Sequence, residues 1–485
     1  MPSKRSIARG SVRVLVGIIG TGVAAAALAA AALLPLPQLH VAPVGQAVTP
    51  VPADQQRVCP GGLLDQSDPT SATSFSSFGS PSIEKTATTA IKQISLSTPS
   101  VQGGPGAPRV ISTQTSGATQ RPLIAGAQSQ VASESDIAGL AAASCGEASA
   151  DSWLVAGSTT LGSTSLVLLS NPSAVQDTVN LTVYSEAGVA QAPAARGIVV
   201  RAGSQLVVPL AGVVPNAQAS VVRVQSTGGT IYASLQQSAV QGLAPQGVEL
   251  VEPTASPARN LVIPGMVVAN TARLSGGAEG ASSLLPSVRL LATGTSTVHA
   301  TVTATSESGK VIVATAQATL QGGAVREVSF DHIIDGSYTV RVSADGPVVA
   351  AARTVDAAAA PSSAESATAQ AEAATQDFAW FVASSPLEDT ALLAVPSGGS
   401  PKLHLSNTTA KDASVTLMRP GTSSRSLKVP AHAAIAVAVT GSASYTLRGA
   451  KGLRASVSLT SDGASSSFAL NPPGPSAQPI TVYPR

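Results

Sequence analysis

The stretch LVLLSNPSAVQDTVNLTVYSEAG, residues 166–188, holds two apolar runs separated by a polar corner at Asn171. In its second half, Val179, Leu181 and Val183 alternate with polar residues, which is the period-two pattern of a strand with one buried face. The Ser-Asn-Pro corner has two interpretations. It is either a reactive loop carried between two strands or a turn that ends a strand of a β-sandwich.

The same pattern recurs at residues 287–309 and 402–421, and the closing glycines of the three segments are 121 and 112 residues apart. The second segment has no Asn-Pro, and in the third segment Asn407 is followed by Thr408. A reactive loop would not be expected to vary while the flanking alternation persists. The corner is therefore predicted to be a strand-ending turn.

Three longer repeats surround these segments. They begin with DSWLVAGST at 151, RNLVIPGMV at 259 and DFAWFVASS at 377. Several short alternating runs bounded by Gly, Pro and Asn over about 100 residues are typical of an antiparallel sandwich. The chain is predicted to be mainly β, with three tandem immunoglobulin-like β-sandwich modules after an N-terminal transmembrane helix.

The predicted organisation has nine segments. They are a cytoplasmic basic segment at 1–13, a transmembrane signal anchor at 14–34, a Pro-rich stalk at 35–58, a Ser/Thr/Gly-rich region packing on the first module at 59–150, modules at 151–258, 259–355 and 377–470, an Ala-rich linker at 356–376 and an irregular tail at 471–485.

The membrane prediction rests on residues 14–34, which are uncharged. At ~1.5 Å per residue such a helix spans about 31 Å, close to the ~30 Å hydrocarbon core of a bilayer. Four basic residues and no acid precede it, so the positive-inside tendency places residues 35–485 outside the cell. The alternative is a signal peptide that is cleaved to give a secreted protein.

Charge excludes one class of partner. The chain has 28 basic and 26 acidic residues, and four of the basic ones precede the membrane segment, so the exported part holds 24 basic residues against 26 acidic ones. No basic stripe suited to a phosphate backbone is present, and nucleic acid is not expected as a partner.

Cys59 and Cys145 are the two cysteines of the chain, and both follow the apolar segment. In an oxidising compartment they are predicted to form one disulfide. The alternative is a pair of buried free thiols. A metal site is less favoured, because neither cysteine has CxxC or Cys/His spacing.

No motif predicts catalysis, a metal or a cofactor. There is no HExxH and no G-x-S-x-G, and GIIGTG at 17–22 lies in the apolar segment without a preceding strand. The histidines are scattered, and each is interpreted as an ordinary solvated side chain, with a metal ligand as the alternative: His40, His299, His332, His404 and His432.

Two pairs of residues occupy equivalent positions in the repeats. Glu186 and Glu307 precede the closing glycines, where the third repeat has Arg419. They are interpreted as solvated turn residues, with a catalytic acid pair as the alternative. Trp153 and Trp380 lie at repeat starts and are predicted to pack in the core, with sugar stacking as the alternative.

The combination of an N-terminal anchor with CPGG, SCGEASADSWLVAGST, LVLLSNPS and GGTIYASLQQS resembles an uncharacterised family of membrane-anchored actinobacterial envelope proteins, a domain of unknown function. The resemblance covers most of residues 59–470. It implies an envelope location and assigns no catalytic residue.

Two functional classes remain. The favoured one is a noncatalytic envelope protein that binds wall polysaccharide or scaffolds other envelope proteins. The alternative is a glycan-active or hydrolytic enzyme whose residues converge from separate strands. Asp, Glu or His residues clustered in one concave pocket would favour the enzyme.

Overall fold

The computed structural model describes residues 22–23, 46–48, 54–66, 74–102, 104–115, 121–134, 136–274, 284–309, 311–358, 376–472 and 480–482. Within these residues the chain is mainly β, as predicted. It divides into two compact units, residues 1–50 with 478–485, and residues 51–477. In the first unit, Gln46–Val48 pairs antiparallel with Ile480–Val482.

The predicted membrane anchor lies outside the described residues apart from positions 22–23. No helix in the described part of the chain is long and apolar enough to cross a bilayer. Residues 359–375, most of the predicted Ala-rich linker, also lie outside the described ranges.

In its described residues, the unit 51–477 contains three pairs of sheets and one seven-stranded sheet that divides into two parts; we call these four bodies sheet pairs A to D in chain order. Sheet pair A joins a sheet of Gln55–Cys59, Arg109–Thr113 and Ile91–Ser95 to a sheet of Ser82–Ala87, Ile124–Ser133 and Ala138–Ser144, beside a small sheet of Leu64–Asp65, Phe75–Ser77 and Val101–Gln102.

Sheet pairs B and D share one strand order from edge to edge. In B, one sheet is Asp151–Leu154, Val221–Thr227, Asp177–Ser185 and the short Gly188–Val189 and Ile198–Val200; the other is Ser204–Pro209, Ser163–Asn171, Tyr232–Gln241 and Ala244–Val251. In D, one sheet is Thr390–Val395, Ala443–Arg448, Ala413–Met418 and Arg425–Val429; the other is Ala434–Ala438, Ser400–Ser406, Arg454–Ser461 and Ala464–Leu470.

Sheet pair C is joined by the 22-residue strand Gly336–Ala357. The first part of this strand pairs with two strands, Ala258–Val268 and Val298–Ser306, and the second of these also pairs with Ile312–Leu320. The second part of the long strand also pairs with two strands, Ser287–Ala292 and Gln376–Val382. Ser287–Ala292 pairs in addition with Val325–Ser329. The strand Gln376–Val382 lies in the range predicted for the third module, yet its hydrogen bonds join it to the strand that ends the second. The short helices are Pro193–Ala195, Leu210–Gly212 and Thr271–Leu274.

The opening stretch behaves as its alternation predicts. Val179, Leu181 and Val183 are buried in a hydrophobic cluster that also takes Val167 and Leu169 from the facing sheet of B. The two sheets therefore share one core, the arrangement that period-two strands with a single apolar face require.

The Ser-Asn-Pro corner is a hydrogen-bonded turn. The buried Asn171 donates from Nδ2 to the carbonyls of Val175 (2.8 Å) and Val200 (3.1 Å), and its Oδ1 accepts from the Ser173 N–H (3.0 Å). Asn407 forms the same hydrogen bonds. Its side chain bonds to the residues two and four positions ahead in the chain and to a strand in the other sheet of D. The asparagine, rather than the proline, defines this turn, since an Asx side chain can replace a backbone group in a turn.

Candidate functional site

The predicted disulfide between Cys59 and Cys145 is present. The two Cα atoms are 4.1 Å apart, and the bridge spans 86 positions of sequence. It lies in a hydrophobic cluster with Ile111 and Ile124, one from each sheet of pair A. The bridge therefore ties the first strand of A to the segment that follows its last strand.

The last strands of the four sheet pairs pack against one another. We call them the central bundle: Ala138–Ser144, Ala244–Val251, Gln376–Val382 and Ala464–Leu470. Each belongs to a different sheet and lies at its edge. The edges meet without forming a β-ladder with one another, so their outward N–H groups need other acceptors.

Asp377 supplies acceptors to the other three strands. Its carboxylate accepts the N–H of Leu140 (2.9 Å), Val248 (3.1 Å) and Ser465 (3.3 Å). Burial raises the pKa of Asp377 well above its usual range, and these hydrogen bonds act in the opposite direction. One carboxylate can do this because its two oxygens offer about four acceptor positions.

Two glycines make room for this carboxylate. A Cβ on Gly139 would lie 2.4 Å from Asp377 Oδ1, and one on Gly247 would lie 2.7 Å from it. Both glycines also have positive φ, +141° and +119°, which other residues rarely adopt.

Glu249 and Glu252 form two further layers along the bundle. Glu249 accepts from Ser466 Oγ at 2.6 Å and from the Ala142 N–H at 3.4 Å. Glu252 accepts from the Ser144 N–H at 3.2 Å and, in shorter bonds, from the Ser144 hydroxyl and the Ala469 N–H. Burial raises the pKa of Glu252 to about 7 and that of Glu249 well above its usual range. From the Asp377 layer through the Glu249 layer to the Glu252 layer, the residue numbers increase along each contributing strand. These strands therefore run in the same direction.

A cavity of about 430 Å³ opens at the end of the bundle. Its walls include the segments by which the four strands leave the bundle: residues 144–153, 252–256 and 468–472, and most of 385–394. The volume lies within the ~300–1,000 Å³ typical of small-molecule sites. The buried Glu252 forms part of its wall.

Two of the carboxylates in this wall, Glu147 and Asp151, are paired with arginines. Arg57 Nη1 lies 3.3 Å from Glu147 Oε2, and Asp151 pairs with Arg223 at 2.5 Å. Several hydroxyl groups also line the cavity, and among the described residues the buried Ser152 Oγ has no hydrogen-bond partner. The wall therefore suits an uncharged ligand that forms hydrogen bonds better than it suits an anion.

A second polar cluster joins sheet pairs C and D. His404 Nδ1 lies 2.5 Å from Glu307 Oε2, and His404 Nε2 lies 2.8 Å from Ser458 Oγ. The other Glu307 oxygen accepts from the Gly265 N–H (3.0 Å) and Thr339 Oγ1 (2.7 Å). The side chains of Glu307 and His404 are 0% exposed.

The order acid, histidine, serine matches a hydrolytic triad, but the packing leaves no access to it. Ser458 is 1% exposed, and a Cβ on Gly265 would lie 2.6 Å from the His404 ring. None of these residues lines the cavity at the end of the bundle. A triad needs room for a substrate carbonyl and for donors to its oxyanion. In this packing the cluster fastens C to D.

Most of the predictions for single residues are confirmed, and two are wrong. His299, His332 and His432 are exposed as predicted, but His404 is buried because sheet pair C covers its face of the strand. Glu186 is exposed as predicted, whereas Glu307 is buried for the same reason as His404. Arg419 is half-buried, and His40 lies outside the described residues.

The sequence offered one weak signal for the cluster. In Ser400–Ser406 and Arg454–Ser461, the positions facing away from the core of D carry histidine and serine at the strand centres and charged residues only near the ends. A polar but uncharged centre is typical of a face that another element covers. Among the described residues, no group of three or more His, Cys, Asp or Glu side chains could hold a metal.

The tryptophans pack in the core, as predicted. Trp153 stacks on Tyr184 with ring centroids 5.8 Å apart and lies under the Arg223 guanidinium. Trp380 lies in the central bundle under Arg289 and donates from Nε1 to Gln237 Oε1 at 3.0 Å. They are 5% and 2% exposed, which leaves neither ring face free for a sugar.

Comparisons with known proteins give one family. A family model described as a family of unknown function, DUF5719, matches residues 100–440. Among solved structures, the BSP domain of a biofilm-associated protein is 10% identical with a TM-score of 0.11, and the match covers 72% of this chain and 63% of that chain. The comparison with curated proteins gives no match.

Proposed function

We propose, for a chain that belongs to the family of unknown function DUF5719, a noncatalytic role as a binding or scaffolding protein of the cell envelope. In this proposal residues 14–34 hold the protein in the membrane, and residues 35–485 lie outside. The Cys59–Cys145 bridge supports an oxidising location, because such bonds persist mainly outside the cytosol.

We propose that sheet pairs B, C and D are immunoglobulin-like sandwiches. Their antiparallel sheets with shared cores support this assignment. The carboxylates of the central bundle hold the sheet pairs in one compact unit, which suits a rigid scaffold.

The cavity at the end of the bundle carries the proposal of binding. Two of its carboxylates are paired with arginines, its hydroxyl groups are numerous, and apolar side chains such as Leu387 and Phe468 lie among them. A sugar presents the same combination, with hydroxyl groups at its edge and C–H groups on its face. We therefore propose wall polysaccharide as the ligand of this cavity.

The test measures binding of solubilised wall polysaccharide to the full chain. Ser256→Trp places a bulky ring at the exposed rim of the cavity, and Ser423→Trp places the same ring on an exposed turn of sheet pair D. We expect Ser256→Trp to weaken binding at least about tenfold, or ~1.4 kcal/mol, and Ser423→Trp to leave it unchanged. Absence of binding by the unmodified chain, or equal binding by both variants, would contradict the proposal.

One observation favours the alternative of a glycan-active enzyme. Glu252 is a buried acid in the cavity wall whose pKa burial raises to about 7, as in a general acid. The measurement is release of reducing ends from wall polysaccharide by the unmodified chain and by Glu252→Gln. Release that Glu252→Gln abolishes, and that declines as pH rises through about 7, would favour the enzyme over the binding protein.

A further inference from the structure

Three equivalent edge strands of sheet pairs B, C and D differ in one respect. Each follows the strand that carries the repeated alternating run, and each pairs with it antiparallel: Ile198–Val200, Ile312–Leu320 and Arg425–Val429. A free edge exposes unpaired N–H and C=O groups to other chains. The three strands lie at equivalent edges, but they differ in their protection against pairing with another chain.

Two of these edges carry known forms of protection. Ile198–Val200 is 3 residues long and follows the turn Pro193–Ala195. In the D edge, Arg425 and Lys428 lie among 5 residues. Short length and positive charge both discourage pairing with another strand.

The edge of C has neither form of protection. Ile312–Leu320 has 9 residues, IVATAQATL, with no charge and no proline. It pairs with Val298–Ser306 and with no other strand in the described part of the chain. At its start, Val311, Ile312 and Val313 are 62%, 61% and 36% exposed. This is an uncharged edge with an exposed apolar end.

We propose that Ile312–Leu320 pairs antiparallel with the same strand of a second copy of this chain. The two-fold axis passes through Ala316, so that Ile312 lies opposite Leu320 of the other copy and Val313 opposite Thr319. Ala318 and Leu320 face the core of C, and this register keeps that face continuous from one molecule to the next.

Charge favours a second copy as the occupant. Self-pairing places each residue of an uncharged strand opposite another uncharged residue, so no repulsion opposes it. The same self-pairing of Arg425–Val429 would bring two positive charges from each strand together. Charge repulsion therefore opposes self-pairing of the D strand, whereas the uncharged C strand permits it.

The experiment measures the mass of the full chain by sedimentation over a range of concentrations. The unmodified chain is expected to form dimers. The Thr315→Lys substitution places a positive charge opposite Gln317 of the other copy and close to the same lysine of that copy. Because the two lysines repel each other, we expect dimerisation to weaken at least about tenfold. Ser423→Lys adds the same charge on an exposed turn away from this edge and should dimerise like the unmodified chain.

A cysteine test fixes the register. Cys59 and Cys145 are bonded to each other, so Thr315→Cys and Gln317→Cys each introduce the sole free thiol of its chain. A mixture of the two variants should form an intermolecular disulfide faster than either variant alone. A monomeric unmodified chain, an unaltered Thr315→Lys dimer, or equal rates for mixed and single variants would each overturn the proposal.

Discussion

Glu186 and Glu307 occupy the same place in two repeats, two residues before Gly188 and Gly309, yet their surroundings are opposite. Glu186 is exposed and accepts the N–H groups of Gln218 and Ala219 within its own sheet pair. Glu307 is buried and reaches into the next sheet pair through His404.

The difference shows that the hairpin itself does not determine the role of its glutamate. Both glutamates accept hydrogen bonds from donors of their own sheet pair. Only Glu307 lies where a second sheet pair packs over the hairpin and removes it from water. Equivalent positions in a repeat chain thus acquire different energetic weights according to how the repeats pack together.

The largest effect should come from Glu307→Ala. It removes the partner of His404 and leaves the Gly265 N–H and Thr339 Oγ1 unpaired in the interior. Breaking a buried, hydrogen-bonded pair costs ~3–5 kcal/mol, so the free energy of unfolding in urea should fall by that amount. Glu307→Gln, which keeps the shape and one acceptor oxygen, should cost less.

The same cluster allows a double-mutant cycle. Glu307→Ala and His404→Ala should together cost less than the sum of their single effects, with a coupling of about 0.5–3 kcal/mol. Additive effects would mean that the two side chains act independently. A loss below ~1 kcal/mol for Glu307→Ala alone would contradict the contrast with Glu186.

A smaller and equal effect is expected at the two turn asparagines. Asn171 and Asn407 are both 0% exposed and form the same bonds in their turns. Replacement of either by Ala leaves one buried and one partly buried carbonyl group without its donor, which should cost about 2 kcal/mol in each case. Unequal losses in urea unfolding would show that these repeats, too, have diverged in energy.

The smallest effect is expected for Glu186→Gln. Partial burial acts to raise the pKa of Glu186, but backbone hydrogen bonds, among them those from Gln218 and Ala219, together with the charge of Arg289 outweigh it and lower that pKa. A lowered pKa stabilises the fold above the ordinary pKa of glutamate, and this stability is lost as pH falls through the lowered value.

For that exposed site the loss at neutral pH should be about 0.5–1 kcal/mol, since water screens the interaction. The difference in unfolding free energy between the unmodified chain and Glu186→Gln should shrink as the solution is acidified. A difference that grows on acidification would mean that the sign of the pKa shift is wrong.

Local features of the fold were predictable from the sequence. Strand periodicity predicted the buried face of Val179, Leu181 and Val183. The expectation of an oxidising compartment predicted the disulfide between Cys59 and Cys145. Both follow from rules that involve only neighbouring residues or a single pair of side chains.

Contacts between sheet pairs were not predictable in this way. The strand Gln376–Val382 starts like Asp151–Leu154, but it is the last strand of its sheet pair rather than the first, because alternation does not show which edge a strand will join. The carboxylates of the central bundle look like isolated acids in apolar strands. Their role emerges only when four edges lie side by side.

The central bundle also has a consequence for how the chain reaches its folded state. Asp377 bonds to residues 237, 129 and 88 positions away in the chain. Contacts of such long sequence separation are associated with slow folding, since the entropy of closing long loops is lost before the contacts form. Sheet pairs A to D consist mainly of nearer pairings, which close shorter loops. We therefore expect the bundle to close after them, so that the cavity at its end forms only once the whole unit has folded.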